Sequence, residues 1–365
     1  MSRIYLDHNA TAPLRPEARA AMSAAMDIVG NPSSVHAEGR AAKGVIELAR
    51  RQVAQAVGCM PQEVIFTSGA TESVRVLSAT AEGCDVLVAE TAHDALWAQA
   101  RMHTWAEHPN GPGHTLAMGL ANSETGVINA LPEKLDGQFS FGNARADWLC
   151  LDVTQAIGRI PFSFAWSGAD MAVLSAHKLG GPKGVGALIL RQGIDIEPLN
   201  VGGGQEMGRR SGTENVIGIA GFGAAIEAAM QDLADGKWQD IEKLRNALEK
   251  TIEESTKETI FVGKSERRLP NTSCILTSGW KGETQVMQMD LAGFAISAGS
   301  ACSSGKVKTS RVLSAMGYND SQAASAIRVS LGLQTTEDDV RQFANSWLAA
   351  EKKHRARVAR EREPQ

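Results

Sequence analysis

The stretch MAVLSAHKLGGPKGVGALIL (171–190) decides how this chain is read. MAVL (171–174) is a short apolar run that ends in a Gly/Pro-rich turn, the pattern of a buried strand. VGALIL (185–190) is a second such run after the turn. Lys178 therefore stands at a strand end, where partial desolvation lowers an ammonium pKa and makes the neutral amine available as a nucleophile. Such a lysine suits a Schiff base with a carbonyl cofactor. The other reading at this point is a solvated lysine on a hairpin turn, the commoner fate of the residue type. Lys183, inside the PKG turn, is the more solvated of the two.

Working outward, EVIF (63–66), DVLVA (85–89) and WLCL (148–151) are further short apolar runs that alternate with helical stretches. That alternation gives βα units, hence an α/β class with a mostly parallel sheet covered by helices. AAKGVIELARRQVAQAV (41–57) has the spacing of a covering helix. GFGAAIEAAMQDL (221–233) and QDIEKLRNALEKTIEEST (239–256) read as long helices crossing between domains. TSCILTSG (272–279) and GFAISAG (293–299) read as strands of a smaller α+β domain. The charged tail KKHRARVARERE (352–363) reads as a frayed helix end or disordered chain.

At 365 residues the chain exceeds one ordinary core and predicts two domains. A formal charge of −4 gives no reason to expect a nucleic-acid partner. No apolar run reaches membrane-spanning length, and the start MSRIYLDHN lacks the hydrophobic stretch of a signal peptide, so the expected location is cytoplasmic. The cysteines Cys59, Cys84, Cys150, Cys274 and Cys302 form no CxxC pair, so neither a metal site nor a disulfide framework is expected. The first four sit beside apolar residues and read as small core residues. Cys302 lies in SAGSACSSGK (297–306), a run of small residues that reads as an exposed loop. An accessible thiol there fits a nucleophile, and Lys306 and Lys308 favour its thiolate. The alternative is an incidental surface cysteine.

In doubly wound sheets, ligands bind at the carboxyl ends of the strands. EVIF leads into TSGATES (67–73), whose amides and hydroxyls suit an anion at a helix start, or serve only as an N-cap. WLCL leads into Asp152, an acid able to hold a protonated ring nitrogen or to cap a helix, with Gln155 three residues on. MAVL delivers Ser175, His177 and Lys178. An anion cradle, an acid and a lysine on strand ends fit pyridoxal 5'-phosphate. His93, after DVLVA, can stack on a ring and move protons near neutral pH, or serve as a structural hydrogen-bonder. Arg328, in AIRVSLG (326–332), can grip a carboxylate with two parallel bonds or form a surface ion pair.

With these residues in place, the chain resembles the cysteine desulfurases, the NifS/IscS-like branch of the class V aminotransferases. The resemblance runs almost end to end, through YLDHNATAPL (5–14), GNPSSVH (30–36), TSGATES, SAHKLGGPKG, GGGQEMGRRSGTEN (202–215), SAGSACSSGK and AIRVSLG. It implies a homodimer of PLP-dependent fold-type I. Residues 15–245 would form the large cofactor domain, with a mixed, mostly parallel sheet; residues 1–14 and 246–365 would form the small α+β domain with the cysteine loop. It further implies that Lys178 carries the cofactor and His93 stacks over the ring. Asp152 pairs with the ring nitrogen, and Gln155 contacts the ring hydroxyl. Ala70, Thr71, Ser175 and His177 hold the phosphate, and Thr213 reaches the phosphate of the other protomer. Arg328 binds the substrate carboxylate. The implied reaction converts L-cysteine to L-alanine: Lys178 removes the Cα proton, and the Cys302 thiolate takes the sulfur as a persulfide. The sulfur then passes to an acceptor, with an iron–sulfur scaffold protein as the expected destination.

Three departures accompany the resemblance. Ser123 stands where the family usually has a cofactor-contacting Asn, and is expected to contact the cofactor less tightly or to be replaced there by a neighbour. The stretch from His93 to Asn122 is short, with HPNGPG (108–113) as a tight turn. The segment after Cys302, KVKTSRVL (306–313), is more basic than usual, which bears on the acceptor that docks. Two rival readings are a selenocysteine lyase or class V transaminase, in which Cys302 is dispensable or only tunes specificity, and a non-enzymatic phosphate-binding module. The last needs a GxxxxGK[ST] loop, and the chain has none.

Overall fold

The computed structural model describes residues 3–79, 85–100, 114–142, 144–299 and 309–362. They form two compact units, one of residues 11–122 and 129–235, the other of residues 1–10, 123–128 and 236–365.

The first unit is built on a six-stranded sheet: β1 (Val64–Thr67), β2 (Val86–Val88), β3 (Thr115–Gly119), β4 (Trp148–Asp152), β5 (Met171–Ser175) and β6 (Gly186–Leu190). The spatial order is β1-β6-β5-β4-β3-β2. β2, β3, β4 and β5 run parallel, while β6 is antiparallel to both β1 and β5. β5 and β6 are buried along their whole length, which is why they read as unbroken apolar runs rather than alternating ones.

Helices α1 (Pro16–Met26), α2 (Ala37–Val57) and α3 (Val216–Ala234) belong to this unit. α2 begins four residues before the expected start. The His36 side chain accepts from the Gly39 amide and caps it, and Gly58, at φ +70°, closes it. Its inward face is Ala42, Ile46, Ala49, Val53, Ala54 and Val57, the recurrence of an amphipathic helix. α3 is long and apolar enough to cross a membrane by length and composition, contrary to the expectation that no run was, and half of it is buried. Gly221 and Gly223 lie against Met22 of α1 and Ala49 of α2. Contact of that kind on more than one side makes an apolar core helix.

A three-stranded meander, Glu133–Leu135, Gln138–Phe141 and Ala144–Ala146, precedes β4. Its first turn places Asp136 at φ +51° and Gly137 at φ +83°, the two positive angles of a type I′ hairpin.

The second unit holds a four-stranded sheet of β7 (Thr259–Phe261), β8 (Thr272–Thr277), β9 (Ser297–Ala298) and β10 (Ala326–Ser330), in the order β7-β8-β10-β9, all antiparallel. Its fully buried strand β8 contributes Cys274 and Leu276 to a core with Val262, Leu313, Ala323 and Ala326. GFAISAG forms two short strands rather than one: Phe294–Ala295 pairs in parallel with Ile4–Tyr5, and β9 joins β10. Helices α4 (Lys237–Ser255), α5 (Gly282–Leu291) and α6 (Glu337–Arg362) complete the unit. The charged tail thus continues α6 to Arg362, and His354 of that segment stacks on Trp280 at 5.4 Å.

Candidate active site

The cradle at the end of β1 depends on two glycines. Thr67, Gly186 and Ser175 stand side by side across β1, β6 and β5. A Cβ on Gly186 would come 2.6 Å from Gly69 Cα, so only glycine lets the TSGATES turn lie down on the sheet. Gly69 itself has φ +153°, and a Cβ there would stand 3.6 Å from the Ser175 hydroxyl, inside the cradle. Such an angle is essentially a glycine conformation. Ala70 and Thr71 open the short turn that follows, where the first amides have no partner within the turn. Ser175 is buried and Thr71 exposed.

β5 runs directly into a turn of 3₁₀ helix, Ala176–Lys178. Lys178 is half-buried there, whereas Lys183 is exposed. Such a turn leaves carbonyls that need partners, and four consecutive ones are taken. The His177 carbonyl accepts from the Ala12 amide at 2.9 Å. That of Lys178 accepts from Arg159 Nη2 at 3.0 Å. That of Leu179 accepts from Arg15 Nε at 2.8 Å, and that of Gly180 from the Arg15 amide at 2.9 Å. Arg15 is held in turn by Asp232, 2.6 Å away. The His177 ring lies 3.1 Å from the Thr11 hydroxyl. Burial first, then the charges of Lys178 and Lys183, push its pKa down to about 4, so the ring is neutral at neutral pH.

On the neighbouring strand, Asp152 ends β4. Its Oδ1 accepts from the Thr154 amide at 2.9 Å, and its side chain makes no other hydrogen bond among the described residues. Gln155, buried, accepts at Oε1 from Arg159 Nη1 at 2.5 Å. His93 is exposed and caps the helical turn Asp94–Trp97, its Nδ1 accepting from the Ala95 amide at 3.1 Å. That bond puts the proton of the neutral ring on Nε2. Asn122 donates to the Thr91 carbonyl at 2.8 Å, tying the end of this segment to the loop of His93.

Thr213 is exposed in the segment after β6. That segment is fastened to the rest of the unit at several points. Glu206, with Met207 one of two successive residues at positive φ, takes a two-bond clamp from Arg50 at 2.8 and 2.9 Å and the Phe66 amide at 2.9 Å. Arg210 donates to Glu72 of the cradle turn at 2.9 Å. That guanidinium and the Ser68 amide outweigh burial and hold the Glu72 carboxyl below the usual carboxylate range.

Arg328 belongs to the second unit and lies on β10 with only 5% of its surface exposed. Nη2 pairs with Asp7 Oδ1 at 2.8 Å, and Nη1 donates to the Ser123 carbonyl at 3.1 Å. Nε is buried with no partner among the described residues. Among the described residues, three of its five donor hydrogens have no partner, enough to grip a carboxylate. Asp7 is fixed from its other side by the Ser297 hydroxyl at 2.7 Å. Ser123 contributes its carbonyl to this group, which also takes Asn9 Nδ2 at 3.2 Å.

Cys302 lies outside the described residues, as do Cys84, Lys306, Lys308 and the HPNGPG turn. Cys150 and Cys274 are wholly buried as expected, while Cys59 is partly exposed rather than a full core residue. Burial pushes the Cys59 thiol up to about 12 and raises those of Cys150 and Cys274 further. All three are poor nucleophiles.

The family model described as aminotransferase class-V matches residues 4–107 and 110–343. The chain belongs to the class V aminotransferase family. It is 39% identical to a cysteine desulfurase of Frankia sp. (strain EuIK1), the match covering 94% of this chain and 90% of that protein. It is 34% identical to the cysteine desulfurase IscS of Dictyoglomus turgidum over 92% of this chain and 91% of the relative. Among solved structures, a NifS-like protein from Rickettsia africae superposes with a TM-score of 0.82 at 29% identity, covering 96% of this chain and 99% of that one. Another NifS-like protein gives 0.83 at the same identity and coverage. The mixed α/β sheet with its smaller α+β unit is therefore the PLP-dependent fold-type I architecture.

In this class V aminotransferase, two residues given no role by the sequence patterns hold candidate site groups in place. Arg159 and Asp7 both have partners far off along the chain, 19 positions away in the case of Arg159 and Lys178, and 321 for Asp7 and Arg328. Asp7 stands within YLDHNATAPL and was quoted there without a role; Arg159 had no signal of its own beyond closeness to Gln155.

Proposed function

We propose that this chain is a pyridoxal-phosphate-dependent cysteine desulfurase. It would act as a cytoplasmic homodimer that converts L-cysteine to L-alanine and passes sulfur to an acceptor for iron–sulfur cluster assembly. The observation that carries the reading is Lys178, half-buried where the carbonyls of residues 177–180 are all bound, next to a strand that ends in the lightly engaged acid Asp152. The residues fit the cofactor. The Gly69–Thr71 turn and Ser175 leave room for a phosphate where a side chain would otherwise stand, His177 and Thr213 add donors, and Asp152 has an oxygen for a ring N–H. Bound there, the cofactor supplies a sink for the electrons released at Cα.

The chain's own residues do the rest. Arg328, with donors to spare, holds the substrate carboxylate. Lys178 Nζ carries the Cα proton, and His93, with its proton on Nε2, serves proton transfer above the ring. Cys302 Sγ attacks the substrate sulfur as a thiolate. The S–S bond of a persulfide forms, the C–S bond breaks, and the carbon skeleton takes up protons to leave as alanine. The described cysteines, Cys59, Cys150 and Cys274, are held as protonated thiols, and the resemblance assigns this step to Cys302.

The test is alanine and sulfide release from L-cysteine, with and without reductant, in wild type and Cys302→Ala. Equal alanine and sulfide with reductant, both lost in the variant, are expected. Alanine from the variant at the wild-type rate would overturn the nucleophile assignment and favour a selenocysteine lyase or transaminase on this scaffold.

A further inference from the structure

We infer that Arg159 is a positioning residue that sets the polarity of Gln155 and holds the lysine turn at the same time; the inference rests on the functional reading above. Arg159 is 4% exposed, so its charge is supported by the acceptors it meets. Nη1 takes Gln155 Oε1 at 2.5 Å, and Nη2 takes the Lys178 carbonyl at 3.0 Å. A guanidinium has donors only. The Gln155 oxygen is therefore committed as acceptor, and the amide presents its Nε2 donors on the opposite side. A free glutamine offers either end by rotating half a turn, and this one does not. Whatever Gln155 Nε2 meets must be an acceptor, and an anionic oxygen is preferred over a neutral one. The second bond couples this choice to the backbone of Lys178, so one side chain orients a donor and fixes the residue beside which that donor works.

The consequence concerns the bound cofactor's protonation. A donor aimed at the ring oxygen stabilises its deprotonated form. Losing the donor's orientation raises the pH at which the visible band of the bound cofactor titrates, by roughly one unit, the scale of one hydrogen bond to a charged group. Asp152, His177, Lys178, Lys183 and Arg15 with its partner Asp232 are charged or titratable groups on or against the same loop and turn, and none of them is altered by the change.

The experiment is a pH titration of the visible absorption of holoenzyme, with cofactor retention on dilution, for wild type, Arg159→Met, Arg159→Lys, Gln155→Leu and the double variant Arg159→Met/Gln155→Leu. Arg159→Met and Gln155→Leu should shift the midpoint upward by similar amounts, with the double variant no further shifted than Gln155→Leu alone. Arg159→Lys, which keeps one cationic donor, should shift less, and it carries the test if Arg159→Met does not fold. A wild-type midpoint and retention in the Arg159 variants, or shifts that add in the double variant, would overturn the inference. A wild type that takes up no pyridoxal phosphate would overturn the functional reading and this one with it.

Discussion

At the scale of single residues, His177 shows how burial becomes a measurable pH response. Its folded pKa, about 4, lies below the ordinary value of 6.5, so between these values the unfolded chain binds a proton that the folded chain does not. Stability is full above pH 6.5 and falls as pH drops toward 4. Melting temperature measured from pH 7 to pH 4.5 in cofactor-free protein should fall more steeply in wild type than in His177→Asn. Parallel curves would show that another group is responsible. Residues of this kind were legible beforehand because Ser175, His177, Lys178 and Asp152 sit where apolar runs stop, a one-dimensional signal. Arg159 was not, because its role follows from which atoms its two nitrogens reach, and one of those atoms belongs to a different loop.

At the scale of elements, β1, β2, β4, β5, β6 and β8 were readable with termini correct to a residue or two, while the buried β3 and β10 were not read as strands. The meander before β4 was not read, although its signal is present: Asp136-Gly137 flanked by alternating residues marks a tight hairpin. The second unit shows what pattern reading misses altogether. Glu249 of α4 and Arg268 form a two-bond ion pair at 2.8 Å, with side chains 3% and 4% exposed, and the Ser273 hydroxyl of β8 donates to the same carboxylate at 2.6 Å. Removing one partner strands a buried charge, so Arg268→Ala should cost about 3–5 kcal/mol in urea unfolding. Replacing both, with Glu249→Leu and Arg268→Met, should recover most of that loss, since an apolar pair has no charge left to desolvate. A single variant as stable as wild type would mean that water reaches the carboxylate.

At the scale of the whole molecule, the open question is whether one chain can complete the site. Thr213 is assigned to the cofactor phosphate by resemblance, yet it is exposed, and its segment also turns Val201 (91% exposed) and Met207 (53%) outward. Apolar side chains held outward on a fastened segment fit a surface that a second copy covers. The proposed homodimer then makes a sharp prediction. Lys178→Ala and Thr213→Asp should each be inactive alone, the first lacking the amine and the second setting a carboxylate against a phosphate. Mixed under conditions that let subunits exchange at random, half of the dimers are hybrids. In each hybrid one site carries both defects and the other carries neither, so roughly a quarter of wild-type activity should return. If Thr213 serves the cofactor of its own chain, every site keeps one defect and no activity returns. Alanine formation in the 1:1 mixture therefore separates a site shared between protomers from one contained within each.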